Sequence, residues 1–199
     1  MTVSHPNKAF FKKHPLKQMS PAAMEDFQIH IQESDEFHDK MDEILRKTDI
    51  SPERWALIDK QKAEISNLED AETIVSTMRK PLDNLADHAL SRKALEMADD
   101  VCPLIIRRFK TTAIDHFVEL SFRILAKADP VYTAELFSSY DSIRNPYAQS
   151  FACLLFGEHK MEEAIPLLMK EYERFGIEYP NESYDQGPLL ALYLICDPK

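Results

Sequence analysis

Acidic and histidine side chains with helical spacing are the residues of this sequence best placed to do chemistry. Asp35, His38 and Asp42 are spaced by three and four positions, so they would share one face of a helix. Carboxylates and histidines presented in this way are how helical bundles bind a divalent metal. We therefore take these three residues as candidate metal ligands. Stoichiometric metal in the purified protein would support a metal-dependent helical enzyme.

The surrounding residues favour a solvated helix face over a metal site. Facing ligands would have to come from a small set of similar groups: Asp83, Asp87 with His88, or Asp115 with His116. The Glu-x-x-His motif that di-iron bundles carry on two helices is absent. Several opposite charges are instead spaced as pairs along one helix: Glu36 with Lys40, Asp42 with Arg46, and Glu43 with Lys47. We therefore predict that the protein has no cofactor.

The motifs of other common catalytic sites are also missing. A phosphate-binding loop needs clustered glycines, and the three glycines of this chain are isolated. There is no nucleophile elbow, Walker motif, dinucleotide fingerprint or Cys-x-x-Cys pair. Cys102, Cys153 and Cys196 are far apart and flanked by apolar residues, which predicts buried thiols. The sequence thus favours a non-catalytic protein.

Composition and charge narrow the class of protein further. The chain of 199 residues is 44% hydrophobic and 29% charged, which is typical of a globular domain. No stretch approaches the ~20 apolar residues that cross a membrane, and we expect a cytoplasmic protein because a secretory signal is absent. The formal net charge of −10 disfavours nucleic acid as a partner.

Basic charge is concentrated at the N-terminus. Residues 1–20 form a basic arm with four lysines and no Asp or Glu, so the arm has a formal charge of +4. Because the net charge of the chain is −10, the other residues together carry −14. Phe10 and Phe11 lie between the lysines, a combination that would suit RNA or a membrane surface. We favour the alternative, in which the two phenylalanines pack and the lysines neutralise part of the acidic body.

Apolar residues recur every three to four positions along the chain, which is the spacing of helices. A first helix is predicted from about Pro21 to Lys47, and Ser51 followed by Pro52 predicts the start of a second. We expect these two helices to form a capping pair over residues 21–69. Trp55 lies on the apolar stripe of the second helix, which predicts a place in the core.

From residue 70 onward the predicted helices are shorter and more regular. They cover residues 71–80, 82–98, 101–111, 113–128, 131–142, 146–156, 161–175 and 188–196. Gly157 and Gly176 fall where two of them stop, so both are predicted to be C-terminal caps.

One stretch of this region is duplicated. Residues 101–109 align with residues 164–172, and the helix beginning at Val131 lies midway between them, so the period is near 31 or 32. Such a period fits a helical hairpin. Pro103 and Pro166 are predicted to lie in the first turn of equivalent helices. A hairpin of this kind cannot bury its apolar stripe alone, so neighbouring hairpins must stack.

The segment Ile165-Pro166-Leu167-Leu168 resembles the second helices of HEAT-like and armadillo-like repeats. The resemblance covers about residues 70–196, within a repeat region of residues 70–199. It implies an all-α fold of antiparallel helical hairpins, stacked as a short right-handed superhelix. In these families the concave face, formed by the second helices, usually binds the partner. The resemblance makes the following residues available to a partner: Arg107, Arg108, Lys110, Glu135, Lys170, Glu171 and Arg174.

The resulting hypothesis is a non-catalytic scaffold that binds a protein or peptide. Charges of both signs alternate between the repeats, which suits such a partner better than a polyanion. The alternative is a HEAT-like DNA glycosylase, a family with a basic concave cleft and tryptophans near the lesion. This chain has one tryptophan, and Arg107-Arg108 with Lys110 is the only basic cluster within its repeats. We therefore transfer no catalytic residue from that family.

Overall fold

The computed structural model describes residues 6–14, 40, 43–47 and 50–196. Within these ranges every regular element is a helix, and no helix is long and apolar enough to cross a membrane. The α-helices are α1 Lys8–Lys13, α2 Pro52–Ser66, α3 Ala71–Thr77, α4 Asn84–Glu96, α5 Ala98–Phe109, α6 Asp115–Leu125, α7 Pro130–Ser138, α8 Pro146–Glu158, α9 Ile165–Glu178 and α10 Gln186–Cys196. Two 3-10 helices, Tyr140–Ser142 and Glu162–Ala164, precede α8 and α9.

Side-chain caps explain where many of these helices begin. A hydroxyl, carboxylate or amide oxygen accepts a backbone N–H two or three residues further on, as in Ser51, Asp70, Asp83, Asp129 and Asn145. A proline occupies the first turn of α2, α7, α8 and α9, where its missing N–H costs no hydrogen bond. The predicted start of a helix at Ser51 and Pro52 is confirmed.

The helices pack in an alternating order. Each of α2, α4, α6, α8 and α10 packs on the next member of this series, and α3, α5 and α7 pack on one another in the same way. Hydrogen bonds near both ends of α6 and α8 join Glu119 to Tyr147 and Leu125 to His159, so these two helices run parallel. One continuous hydrophobic core extends from Phe11 to Leu194.

Two of the three glycines serve close packing between α8 and α10. A Cβ on Gly157 would lie 2.5 Å from the Ala191 Cα, and a Cβ on Gly187 would lie 2.3 Å from the Ser150 oxygen. The prediction that Gly157 and Gly176 are C-terminal caps is wrong, because both lie inside helices and neither has a positive φ. Lys160, with φ 53°, adopts the left-handed conformation after α8.

The two prolines of the duplicated stretch differ in position. Pro166 is in the first turn of α9, as predicted, whereas Pro103 lies inside α5 and the prediction for it is wrong. The reason is that α5 already begins at Ala98, with only Met97 separating it from α4. No proline, glycine or side-chain cap marks that boundary in the sequence.

Several predictions about individual residues can be compared with the structure. Trp55 is buried in the core, as predicted. The thiols of Cys102 and Cys153 are buried, whereas Cys196 is only half-buried, and all three are free. The candidate ligands Asp35, His38 and Asp42, with most of the helix predicted to end at Lys47, lie outside the described residues.

Candidate functional site

The seven residues predicted to meet a partner lie on alternate helices. Arg107 and Arg108 are on the last turn of α5, and Lys110 follows that helix directly. Glu135 is on α7, and Lys170, Glu171 and Arg174 are on α9. We call the outer surface of α3, α5, α7 and α9 the odd-helix face.

An exposed ion cluster lies at the α3 end of the odd-helix face. Glu72 of α3 accepts hydrogen bonds from Arg107 at 2.9 Å and from Arg108 at 3.1 Å, one on each carboxylate oxygen. The side chains of Glu72 and Arg107 are 56% and 65% exposed, and that of Arg108 is 33% exposed. The cluster has one carboxylate for two guanidinium groups, so it keeps a formal charge of +1. Sequence reasoning missed Glu72, because it lies 35 residues from Arg107.

The middle of the odd-helix face is polar and of mixed sign. Glu135 and Lys170 are exposed, and Lys110 is half-buried with its carbonyl accepting the Arg144 N–H. Asp99 of α5 accepts a hydrogen bond from the Tyr132 hydroxyl at 2.8 Å, and this bond raises the pKa of Tyr132 to about 12. Both the ion cluster and this bond hold polar groups at fixed positions between neighbouring helices.

Glu171 is not part of this surface, because its side chain is only 3% exposed. Its carboxylate accepts hydrogen bonds from the Tyr140 hydroxyl at 3.0 Å and from the Arg174 Nε at 2.9 Å. Arg174 also donates to Glu178 at 2.8 Å and to the side-chain oxygen of Gln149 at 2.7 Å. The network holds the segment after α7 against α8 and α9, which gives Glu171 and Arg174 a structural role.

Burial sets the protonation states within this network. It raises the pKa of Tyr140 far above its usual range, with further contributions from Cys153 and Glu171, so the phenol stays a hydrogen-bond donor. It also raises the pKa of the Cys153 thiol to about 12, so this cysteine is a poor nucleophile. Burial lowers the pKa of Arg174, but its bonds to Glu171 and Glu178 raise it overall.

Asp87 and His116, two of the residues considered as possible metal ligands, lie close together in the structure. Asp87 of α4 lies 3.3 Å from the Nε2 of His116 on α6, and its side chain is 4% exposed. Burial raises the pKa of Asp87, while its electrostatic interactions with His116 and Arg123 oppose that shift. Asp83 instead pairs with Arg54 at 2.8 Å. In the part of the chain that the structure describes, no three His, Cys, Asp or Glu residues are grouped to hold a metal ion.

A second basic surface was not visible in the sequence. Lys62 of α2 and Arg92 and Lys93 of α4 line a cleft of about 210 Å³ with Ile65 and Ala89 at its apolar wall. Lys93 bonds within the cleft wall to Glu96 at 3.2 Å. The three basic residues come from two helices and converge only through packing, so no local motif marks them. Arg107, Arg108 and Lys110 are therefore not the only basic cluster of the fold.

Comparison of the chain with protein families, with curated proteins and with solved structures gives no match.

Proposed function

We propose that this chain is a non-catalytic helical-repeat scaffold of the HEAT-like or armadillo-like kind, and that its odd-helix face binds a protein or peptide with an acidic segment. The repeat interpretation is supported by the alternating packing of the helices. It is also supported by hydrogen bonds between helices of the same row, which join pairs 28, 33, 34 and 36 residues apart and so bracket the predicted period. A hairpin that repeats at this period exposes one helix row on each side of the stack.

The observation that carries the binding proposal is the ion cluster of Glu72, Arg107 and Arg108. Exposed ion pairs contribute only about 0–1 kcal/mol to stability, so the fold has little need of the cluster. The hydrogen bonds to Glu72 hold the guanidinium groups of Arg107 and Arg108 side by side at the surface. Groups that are already in position lose less conformational freedom when a partner binds.

The charge of the cluster indicates the kind of partner. A guanidinium group presents paired N–H donors that match a carboxylate, and the surplus positive charge of the cluster attracts one more. The same face also carries the exposed negative groups Asp99 and Glu135, which would repel a phosphate backbone. A short acidic peptide fits this pattern better than a polyanion because its charge is local.

Three variants of the full-length chain test the proposal against an acidic peptide selected from a random display library. Replacing Arg107 and Arg108 by Ala removes the attracting groups, and we expect the Kd to rise at least about tenfold. Glu72→Gln keeps a side-chain oxygen that can accept from the arginines but removes the negative charge that competes with the peptide, so the same peptide should bind more tightly. The matched control replaces Arg79 and Lys80, two adjacent exposed basic residues outside the cluster, and should leave the Kd unchanged.

The opposite signs separate recognition from folding, because a folding defect in any of the variants, including one at the half-buried Arg108, would weaken binding. The proposal fails if Glu72→Gln weakens binding as much as the double alanine variant does. It also fails if short duplex DNA binds more tightly than the peptide with a Kd that rises steeply with salt, which would favour the nucleic-acid alternative.

A further inference from the structure

The basic N-terminal segment is seated on the last two helices of the fold. Phe11 of α1 is 6% exposed, and its ring lies 4.6 Å from that of Tyr193 on α10. Phe10 lies edge-on to Tyr172 of α9 at 6.0 Å. The two phenylalanines of the arm therefore pack on a tyrosine from each helix, which agrees with the preferred sequence-based interpretation of this segment.

Polar bonds fix the direction of the segment on this surface. The Tyr193 hydroxyl lies 3.2 Å from the Phe11 carbonyl oxygen and 3.3 Å from that of His14, so it is placed to donate to the end of α1. The Tyr172 hydroxyl lies 2.9 Å from the His14 Nδ1. The side chain of Asn7 caps the first turn by accepting from the Ala9 and Phe10 N–H groups.

The surface that receives α1 belongs to an apolar helix. After Gln186 the sequence of α10 is almost entirely apolar, and α8 and α9 pack on it. A helix that is apolar all round is covered on every side in a stable protein. Helix α1 covers the part of α10 around Tyr193.

Helix α1 is a weak occupant of that surface. It has six residues, and a helix of that length is not stable without its contacts. A cleft of about 460 Å³ remains between Lys8, Phe11, Lys12 and Tyr193, so the segment does not fill the space. Residues 14–51 separate α1 from α2 in the sequence.

We propose that the surface of α9 and α10 around Tyr172 and Tyr193 is a docking site for a short basic helix with two adjacent phenylalanines. Residues 7–14 fill the site within the chain, and a partner protein that carries a helix of the same chemistry binds by displacing them. The strongly acidic body of the chain favours a basic ligand.

This site is distinct from the odd-helix face. Tyr172 lies two positions from both Lys170 and Arg174, which turns it by about 200° to the other side of α9. An experiment that disproves peptide binding by the odd-helix face therefore does not disprove the docking site on α9 and α10.

A labelled peptide of residues 6–14 tests the docking site directly. In the full-length variant with Phe10 and Phe11 replaced by Ala, the site is vacated, and we expect this peptide to bind at least about tenfold more tightly than it binds the wild type. Adding Tyr193→Ala to that variant should abolish binding. Tyr193→Phe, which keeps the ring and removes two hydrogen bonds, should weaken it in a chain whose circular dichroism is unchanged.

A control peptide with the same lysines and with alanine in place of both phenylalanines should not bind the vacated variant. Equal binding of the two peptides would mean that charge alone attracts them, and would overturn the docking site. Equal affinity of the wild type and the vacated variant would do the same, since nothing would then be displaced. No binding to the vacated variant at millimolar peptide would also overturn it.

Discussion

At the scale of single residues, Glu171 shows how burial gives a charged side chain a structural role. In the sequence it sits between Lys170 and Tyr172 on a polar stretch, and its local pattern is that of an exposed residue. In the fold it is enclosed, and Tyr140 and Arg174 supply the hydrogen bonds that a buried carboxylate needs. Tyr140 lies 31 residues away in sequence, so no local pattern predicts this contact.

Glu171→Gln should lower the free energy of unfolding by about 2–3 kcal/mol, because it leaves Arg174 with a weaker acceptor in a half-buried site. Glu173→Gln, on an exposed position of the same helix, should change it by less than about 0.5 kcal/mol. Urea denaturation of both variants measures the difference. Similar stabilities for the two would contradict the structural role assigned to Glu171.

At the scale of the helices, local signals predicted much of what is observed. Polar caps and first-turn prolines mark the starts of α2, α7 and α8, and the predicted starts of these three helices are confirmed to within one residue. The boundary between α4 and α5 was predicted at residues 99–100 and lies instead at Met97, because no proline, glycine or side-chain cap marks it. Gly157 was wrongly predicted as a cap for a different reason: a glycine near a helix end also permits close helix packing, and sequence does not distinguish the two uses. A Cβ on Gly176 would meet nothing within 4 Å, so packing does not explain that glycine.

Replacing Gly157 and Gly176 by alanine should change the stability of the protein in opposite directions. Gly157→Ala places a Cβ against the Ala191 backbone and should destabilise the protein by about 1–3 kcal/mol, because α8 and α10 must move apart. Gly176→Ala meets nothing within 4 Å inside α9 and should stabilise it by about 0.5–1 kcal/mol. Thermal unfolding of both variants measures the shifts. If Gly157→Ala is also stabilising, α8 and α10 do not approach as closely as described.

At the scale of the whole molecule, the helical class follows from the spacing of apolar residues, whereas the longest contacts do not. The Tyr193 bond to Phe11 spans 182 residues, and nothing in the local pattern of residues 6–14 predicts that they pack on α10. The packing of Asp87 against His116 likewise depends on the register of two neighbouring helices. Such contacts are set by how the helices stack, which only the folded chain reveals.

The central functional proposal is that one helix row of this stack, the odd-helix face, meets the partner. Backbone amide shifts of the isotope-labelled full chain, recorded with and without the selected acidic peptide, locate the bound surface directly. We predict the largest changes in α3 and near the end of α5, around Glu72, Arg107 and Arg108. Changes confined to α4 and α6, in the other row, would contradict the proposal.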